Sequence, residues 1–479
     1  MDTYQLFIKG KWVPAVSGET FDDMNPYTGE CYAKVAKGDL GDVDKAMAAA
    51  FDARRPWSGT PPLEREKILS KAAAILEQKM LEFSQVLIQE GGGTVGKTMF
   101  EIYQTADLLR TAAADSKRIL GDTFHTDPTK LSFTTRRPWG TVVAISPWNF
   151  PLILAMYKVA YGLAAGNTVV LKPASETPVI GLKIGELFQE AGLLPGALNV
   201  VTGPGHIIGD ALIKDERCSY VAITGETKTG LHVAKTAAAR MKKYTLELGG
   251  KNPLIVLSDV DMDFAVDTAA FSTFLHQGQI CMSAGRVIVE EKIVEEFSRK
   301  LAAKAAGLSA GDPSDPSTVV GPLINDAQVK KVDRLVKDAV AKGADLIQGG
   351  KFDGRVYQPT VLAGINPAMR IYHEETFGPV ASIISVADEK EALKVANDTE
   401  YGLSAALVTN DITKALYLAD GLEAGMVHVN NGSIDADAPC PFGGCKSSGQ
   451  GREGGRYSLE SMTQIKWVTI QKGQKQYPF

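Results

Sequence analysis

Three short segments hold side chains of the kinds that covalent catalysis through cysteine uses. In Gly278-Gln279-Ile280-Cys281-Met282-Ser283-Ala284-Gly285-Arg286, glycines bracket a cysteine, a pattern suited to a sharp turn that presents a thiol. The same cysteine also reads as a small buried residue, the commoner role of a lone cysteine. In Leu246-Glu247-Leu248-Gly249-Gly250-Lys251-Asn252-Pro253, a carboxylate stands between leucines beside a Gly-Gly turn. Apolar surroundings raise a carboxyl pKa and suit it to act as a general base, while a surface glutamate at a strand end fits the same pattern. In Pro147-Trp148-Asn149-Phe150-Pro151, the Asn149 amide can donate to a developing oxyanion, or can occupy a plain turn between prolines.

The elements that must carry these residues alternate. From about 142 to 250, strand candidates at 142–145, 168–171, 198–201 and 220–223 are each followed by a helical stretch, at 152–164, 178–192, 206–213 and 228–239. Strand–helix alternation implies parallel β-α units in a doubly wound sheet. A second α/β block runs from about 250 to 445, with strand candidates at 253–257, 286–290, 381–386, 405–408 and 426–429, and 443–455 reads as a glycine-rich loop. Ahead of these blocks, 5–8 and 12–13 flank a Gly10-Lys11 turn as a hairpin, and 42–53, 62–90 and 94–120 are expected as helices. The segment 131–135 is strand-like, and 464–470 alternates like an edge strand. The tail strand needs a partner, either within the chain or, as a sharper expectation, in a sheet shared with 131–135 between subunits.

At 479 residues the chain exceeds one hydrophobic core, so two or three domains are expected. Hydrophobic residues make up 44% and charged residues 22%, which is ordinary for a globular protein. The net charge of −5 disfavours a general nucleic-acid binder. No run has the length and apolarity of a membrane span, and the N-terminus has neither a basic nor an apolar signal region. Cys31, Cys218, Cys281, Cys440 and Cys445 are scattered and form no C-x-x-C pair, so neither a disulfide framework nor a metal site is expected, and the cytoplasm fits.

The three segments, taken in order, resemble those of the NAD(P)-dependent aldehyde dehydrogenase superfamily. Leu171-Lys172-Pro173-Ala174, Glu374-Glu375-Thr376-Phe377-Gly378-Pro379 and Pro441-Phe442-Gly443-Gly444 extend the likeness over nearly the whole chain. The resemblance implies an α/β fold with a Rossmann-type cofactor domain (1–117 and 138–248), an α/β catalytic domain (249–446) and a small β oligomerisation element with the tail (118–137 and 447–479). It implies oxidation of an aldehyde to the carboxylic acid with NADP or NAD, through a thioester on Cys281. Asn149 and the Cys281 backbone N–H would hold the oxyanion, Glu247 would activate water, and Lys158 would stand near the site. The cofactor would meet Trp148, Lys172, Ser175, Gly225, Leu248, Gly249, Glu375 and Phe377. Many members have serine where Glu226 stands, so Glu226 is not carried over as a ligand. Many NAD-preferring members carry a glutamate where Ser175 stands, so NADP is expected to be accepted.

The segment 274–283 is similar to that of benzaldehyde- and vanillin-type members, which implies an apolar, aromatic aldehyde lined by Tyr157, Ile280 and Met282, although Ile280 and Met282 equally suit a core. A semialdehyde or other aliphatic aldehyde is the alternative substrate. A thiol esterase or a non-catalytic structural protein are the rival functions, disfavoured by the nucleotide motifs and by the retained Cys281, Glu247 and Asn149. The expected partners are a small-molecule aldehyde and other copies of the chain in a homodimer or homotetramer, with no nucleic acid and no membrane.

Overall fold

The computed structural model describes residues 2–479. Its first sheet has eight strands. Five are parallel at its centre, in the order Lys243–Glu247, Cys218–Thr224, Thr141–Ile145, Thr168–Lys172 and Leu198–Val200. The N-terminal hairpin, Leu6–Ile8 and Lys11–Val13, extends one side antiparallel, and Gly449–Gln450 closes the other. Strand side chains alternate between faces with period two. Val142, Ala144, Val169 and Leu171 therefore join one apolar core, while Val143, Val170, Val221 and Ile223 join another. Both faces are covered by helices, so these strands read as continuous apolar runs.

The second sheet has seven strands, in the order Asp345–Gln348, Thr360–Ala363, Val380–Val386, Ala284–Glu290, Asn252–Val256, Ser404–Val408 and Met426–Val429; all pairs are parallel except the first. It too splits its side chains between two cores, Ile255 and Ile288 on one face and Leu254 and Val287 on the other. The strand Lys243–Glu247 ends one sheet and Asn252–Val256 begins the next, so Glu247 and the Gly249-Gly250 turn lie where the chain passes between sheets.

Several expectations are corrected. The helix expected over 62–90 is two, Pro62–Gln78 and Met80–Gly91, broken at Lys79 (φ −99°, ψ 18°). No glycine or proline marks this bend; it turns Phe83, Val86 and Leu87 into the core. The following helix stops at Asp115 rather than reaching 120. A π-helical turn, Gly205–Gly209, precedes the short helix Asp210–Lys214. The glycine-rich loop contains the two-residue strands Cys445–Lys446 and Gly449–Gln450. The tail strand Thr463–Gln471 pairs along its whole length with Lys130–Pro138 of its own chain. The two segments run antiparallel in full register, and the Trp467 indole N–H adds a 2.8 Å bond to Ser132 Oγ. Thr123–Phe124 completes this three-stranded sheet, leaving Ile465, Trp467 and Ile470 exposed.

Candidate active site

Cys281 follows a turn of unusual backbone. His276, Gln277 and Gly278 have φ of 48°, 56° and 69°, three successive residues in the left-handed region. Non-glycine residues stay there only when their surroundings hold them. Here the Gln277 amide donates to Gly92 O (3.2 Å) and Pro322 O (2.9 Å), and Gln279 Oε1 accepts from Ile324 N (3.0 Å). The Cys281 carbonyl accepts from Asn252 Nδ2 at 2.8 Å. The residue itself is half-buried at the wall of a cleft of about 520 Å³. Burial first, then the carboxylates of Glu375 and Glu247, push its thiol up to about 12, against the pull of the Met282 and Cys281 N–H groups.

Asn149 is buried in the turn before helix Pro151–Ala164. Its Nδ2 donates to Gln279 O at 3.0 Å, two residues before the cysteine. An amide has two N–H groups, so one orients the side chain and the other is free to donate.

Glu247 ends strand Lys243–Glu247, and both its carboxylate oxygens are buried with no hydrogen-bond partner. Burial pushes its carboxyl well above the usual carboxylate range; Glu453 adds to the shift, and Lys158 and Arg452 oppose it. Lys158 lies on helix Pro151–Ala164, fully buried. Its Nζ donates to Thr224 Oγ1 (2.7 Å), Leu154 O (3.2 Å) and both oxygens of Glu453 (2.9 and 3.1 Å).

The cleft brings together Cys281, Asn149, Trp148 and Gly225 with Leu248, Gly249, Glu375 and Phe377. Glu375 accepts from Gly250 N at 2.9 Å, and a Cβ on Gly249 would stand 3.0 Å from the Glu375 carboxylate, so a side chain there would press on it. Phe377 (φ 53°) stands edge-on to Trp148, centroids 5.3 Å apart, with its carbonyl held by Gln328 Nε2 at 2.7 Å. Helix Thr227–Ala238 opens on the cleft with no side-chain cap on its first N–H groups, an arrangement suited to phosphate oxygens. Glu226 borders the same cleft, but so do Lys228 and Lys331, whose charges offset it.

Lys172 and Ser175 do not border this cleft. They lie at the end of the neighbouring strand Thr168–Lys172, where Lys172 Nζ donates to Pro173 O (2.9 Å) and Ser175 Oγ to Gly203 O (3.3 Å). Burial lowers the Lys172 ammonium to about 8, with Glu176 opposing. Tyr157, Ile280 and Met282 do not border this cleft either; they belong, with Phe442 and Ile434, to the large apolar core cluster against which Cys281 packs. The rings of Tyr157 and Phe442 stack 6.0 Å apart at 23°.

With this geometry in hand, comparison with known proteins is decisive. The aldehyde dehydrogenase family model matches residues 12–468. The chain belongs to the aldehyde dehydrogenase family. It is 42% identical over 477 residues to the vanillin dehydrogenase of Pseudomonas fluorescens, covering 99% of each chain. Among solved structures it superposes with TM-score 0.97 on a salicylaldehyde dehydrogenase from Pseudomonas putida G7 complexed with salicylaldehyde (39% identity, 100% of both chains). It superposes with TM-score 0.96 on an NADP-dependent enzyme from E. coli (35% identity, 98% of both chains).

In this aldehyde dehydrogenase, reading the sequence missed several residues that the fold brings to the site. Glu453 lies in the stretch read only as a glycine-rich loop, yet it pairs with Lys158 beside Glu247. Thr224 and Lys331 carry no motif. Lys97 and Glu101 carried one faint signal, an opposite-charge pair four apart on a helix, which ordinarily marks a solvated face. No helix among the described residues is long and apolar enough to cross a membrane.

Proposed function

We propose that this aldehyde dehydrogenase oxidises aromatic aldehydes to carboxylic acids, with NADP or NAD as the hydride acceptor. The observation that carries the substrate class is the apolar cluster against which Cys281 packs: it contains the stacked rings of Tyr157 and Phe442 together with Ile280 and Met282, side chains suited to a flat apolar substrate. The similarity to proteins named vanillin and salicylaldehyde dehydrogenase supports the same class.

The residues present fit a dinucleotide. The close approach of Gly249 to Glu375, the uncapped N-terminus of Thr227–Ala238, and the Trp148–Phe377 pair form a cradle with apolar and anion-binding ends. Glu375 and Phe377 would hold the nicotinamide end, and Lys172 and Ser175 the adenosine ribose. When bound, the nicotinamide accepts a hydride from the carbon attached to Cys281. On the protein side, Cys281 loses its thiol proton to solvent and its Sγ adds to the aldehyde carbon as a thiolate. The free Asn149 N–H and the Cys281 backbone N–H stabilise the oxyanion. Loss of hydride leaves a thioester on Sγ. Glu247, whose surroundings hold its proton affinity high, takes a proton from water as the water attacks that thioester. Hydrolysis releases the acid and restores the thiol. Lys158 and Glu453 surround Glu247 with one charge of each sign, which sets how readily that proton is taken and returned.

The eight-stranded sheet with its helices would form the cofactor domain, the seven-stranded sheet the catalytic domain, and the sheet of Thr463–Gln471 an oligomerisation element joining a dimer or tetramer. A thiol nucleophile must stay reduced, which fits the cytoplasm.

The test is a side-by-side measurement of kcat/KM for benzaldehyde, vanillin, hexanal, succinic semialdehyde and betaine aldehyde, each with NAD⁺ and NADP⁺. The aromatic aldehydes are expected to lead by about tenfold or more, roughly 1.4 kcal/mol; a charged aldehyde leading by that margin would overturn the assignment. NADP⁺ is expected within about a hundredfold of NAD⁺, roughly 2.7 kcal/mol, because Ser175 brings no carboxylate to repel a 2′-phosphate.

A further inference from the structure

Helix Pro151–Ala164 begins two residues after Asn149 and has no cap of its own: Phe150 offers no side-chain acceptor and Pro151 has no N–H. The N–H groups of Leu152 and Ile153 are met instead by one oxygen of Glu101, at 2.9 and 3.2 Å. Glu101 belongs to a different helix, Val95–Asp115, and is completely buried. Its other oxygen accepts from Lys97 Nζ at 2.5 Å, and the two side chains are 0% and 2% exposed. Lys97 in turn lies 4.3 Å over the Phe150 ring, and Phe150 meets His276 edge-on at 5.4 Å. The ion pair thus holds the residues on the C-terminal side of Asn149 and touches, through Phe150, the left-handed turn that leads to Cys281.

Two helices can be packed together with apolar side chains at no cost in stability, and a buried ion pair is a poor way to gain it. What the carboxylate supplies, and a leucine cannot, is a directional acceptor for the first turn of a helix that lacks one. We propose that Glu101, held by Lys97, is a positioning residue for Asn149, fixing the Pro147–Phe150 turn so that the free amide N–H faces the oxyanion formed at Cys281. The inference rests on the reading of Asn149 as an oxyanion donor.

The experiment compares two charge-free pairs, Lys97→Met/Glu101→Gln and Lys97→Met/Glu101→Leu, which bury nearly the same volume and differ in the acceptor oxygen. Glu101→Ala alone leaves the Lys97 ammonium buried without a partner and risks not folding. Acylation is read as the pre-steady-state burst of reduced cofactor, and cofactor affinity by fluorescence titration. Lys97→Met/Glu101→Leu is expected to acylate more slowly by about tenfold or more with cofactor Kd within about threefold, and Lys97→Met/Glu101→Gln to recover most of the rate. In an Asn149→Ala background, itself slower by about 10²-fold, the leucine pair is expected to add little further loss, because the group it misplaces is gone. Equal burst rates in the glutamine and leucine pairs, or losses that multiply in the Asn149→Ala background, would overturn the positioning role. Asn149→Ala alone separates the two readings: wild-type acylation there removes the oxyanion assignment, whereas slow acylation there with an unaffected leucine pair removes only the role of Glu101.

Discussion

In the proposed mechanism Cys281 and Glu247 share one electrostatic problem, since each must carry a negative charge where burial disfavours it. For the thiol, burial and the neighbouring Glu375 and Glu247 raise the pKa to about 12, so at neutral pH the cofactor-free enzyme holds it protonated. The thiolate fraction of such a group grows about tenfold per pH unit below its pKa. Inactivation of the cofactor-free enzyme by iodoacetamide is therefore expected to accelerate steadily from pH 7 to 9.5, followed as residual activity. A rate already level at pH 7 would mean that the thiolate is stabilised by groups other than these. For the carboxyl, Glu247→Gln keeps the shape of the side chain and removes the base. Acylation is expected to survive and hydrolysis to fail. Stopped-flow absorbance should show a burst of about one reduced cofactor per site, followed by turnover slower by about 10²–10³-fold. Unchanged steady-state turnover in Glu247→Gln would show that water is activated elsewhere.

Between residue and fold stands the turn that carries the proposed nucleophile. The left-handed run His276–Gly278 is stabilised from outside by Gly92, Pro322 and Ile324, three points of backbone that belong to other parts of the chain. Its tightest approach is at Gly278, where a Cβ would lie 2.2 Å from Gly378 O, the carbonyl that follows Phe377. A side chain here meets both an unfavourable φ of 69° and a collision with backbone. Gly278→Ala is therefore expected to cost about 2–4 kcal/mol, read as a lowered midpoint in denaturant or thermal unfolding. A Gly278→Ala protein as stable as the parent would show that the turn can move away from Gly378. Helix ends near the site follow a related rule. Helix Pro178–Ala191 also lacks a side-chain cap of its own, and its Val179 and Ile180 N–H groups are met by the buried Glu90 at 2.8 and 2.9 Å. Both helices that follow a functional loop and begin with proline are thus capped by a glutamate from a neighbouring helix.

The two large sheets enclose the cleft, and the small sheet stands apart from the chemistry. Its outer strand, Thr463–Gln471, leaves one backbone edge unpaired and exposes Ile465 (62%), Trp467 (63%) and Ile470 (52%). An exposed apolar edge strand invites pairing with another chain. The intact protein is expected to be a dimer or tetramer by light scattering coupled to size-exclusion chromatography. A chain ended at Met462 loses all nine residues of this strand, uncovers Lys130–Pro138, and is expected to dissociate or precipitate. A monodisperse, fully active monomer of the intact chain would remove the oligomerisation role.

Contiguous pattern was enough to find much of this protein. The alternation of apolar strands and helices between 142 and 250 implied a doubly wound sheet because strands buried on both faces are written as short apolar runs. The motifs around Asn149, Glu247, Cys281 and Glu375 were recognisable because each is a turn whose glycines, prolines and functional residue are neighbours in the chain. Other features were not legible there, because packing between distant segments creates them. The bend at Lys79 has no local breaker and exists to bring Met80–Gly91 against the core. The full register of the tail strand with Lys130–Pro138 of its own chain joins segments more than 300 residues apart. Glu453 reaches Lys158, and Glu101 reaches the helix after Asn149, from positions with no distinguishing neighbours. A buried charge takes its role from the partner that compensates it, and that partner is chosen by the tertiary fold.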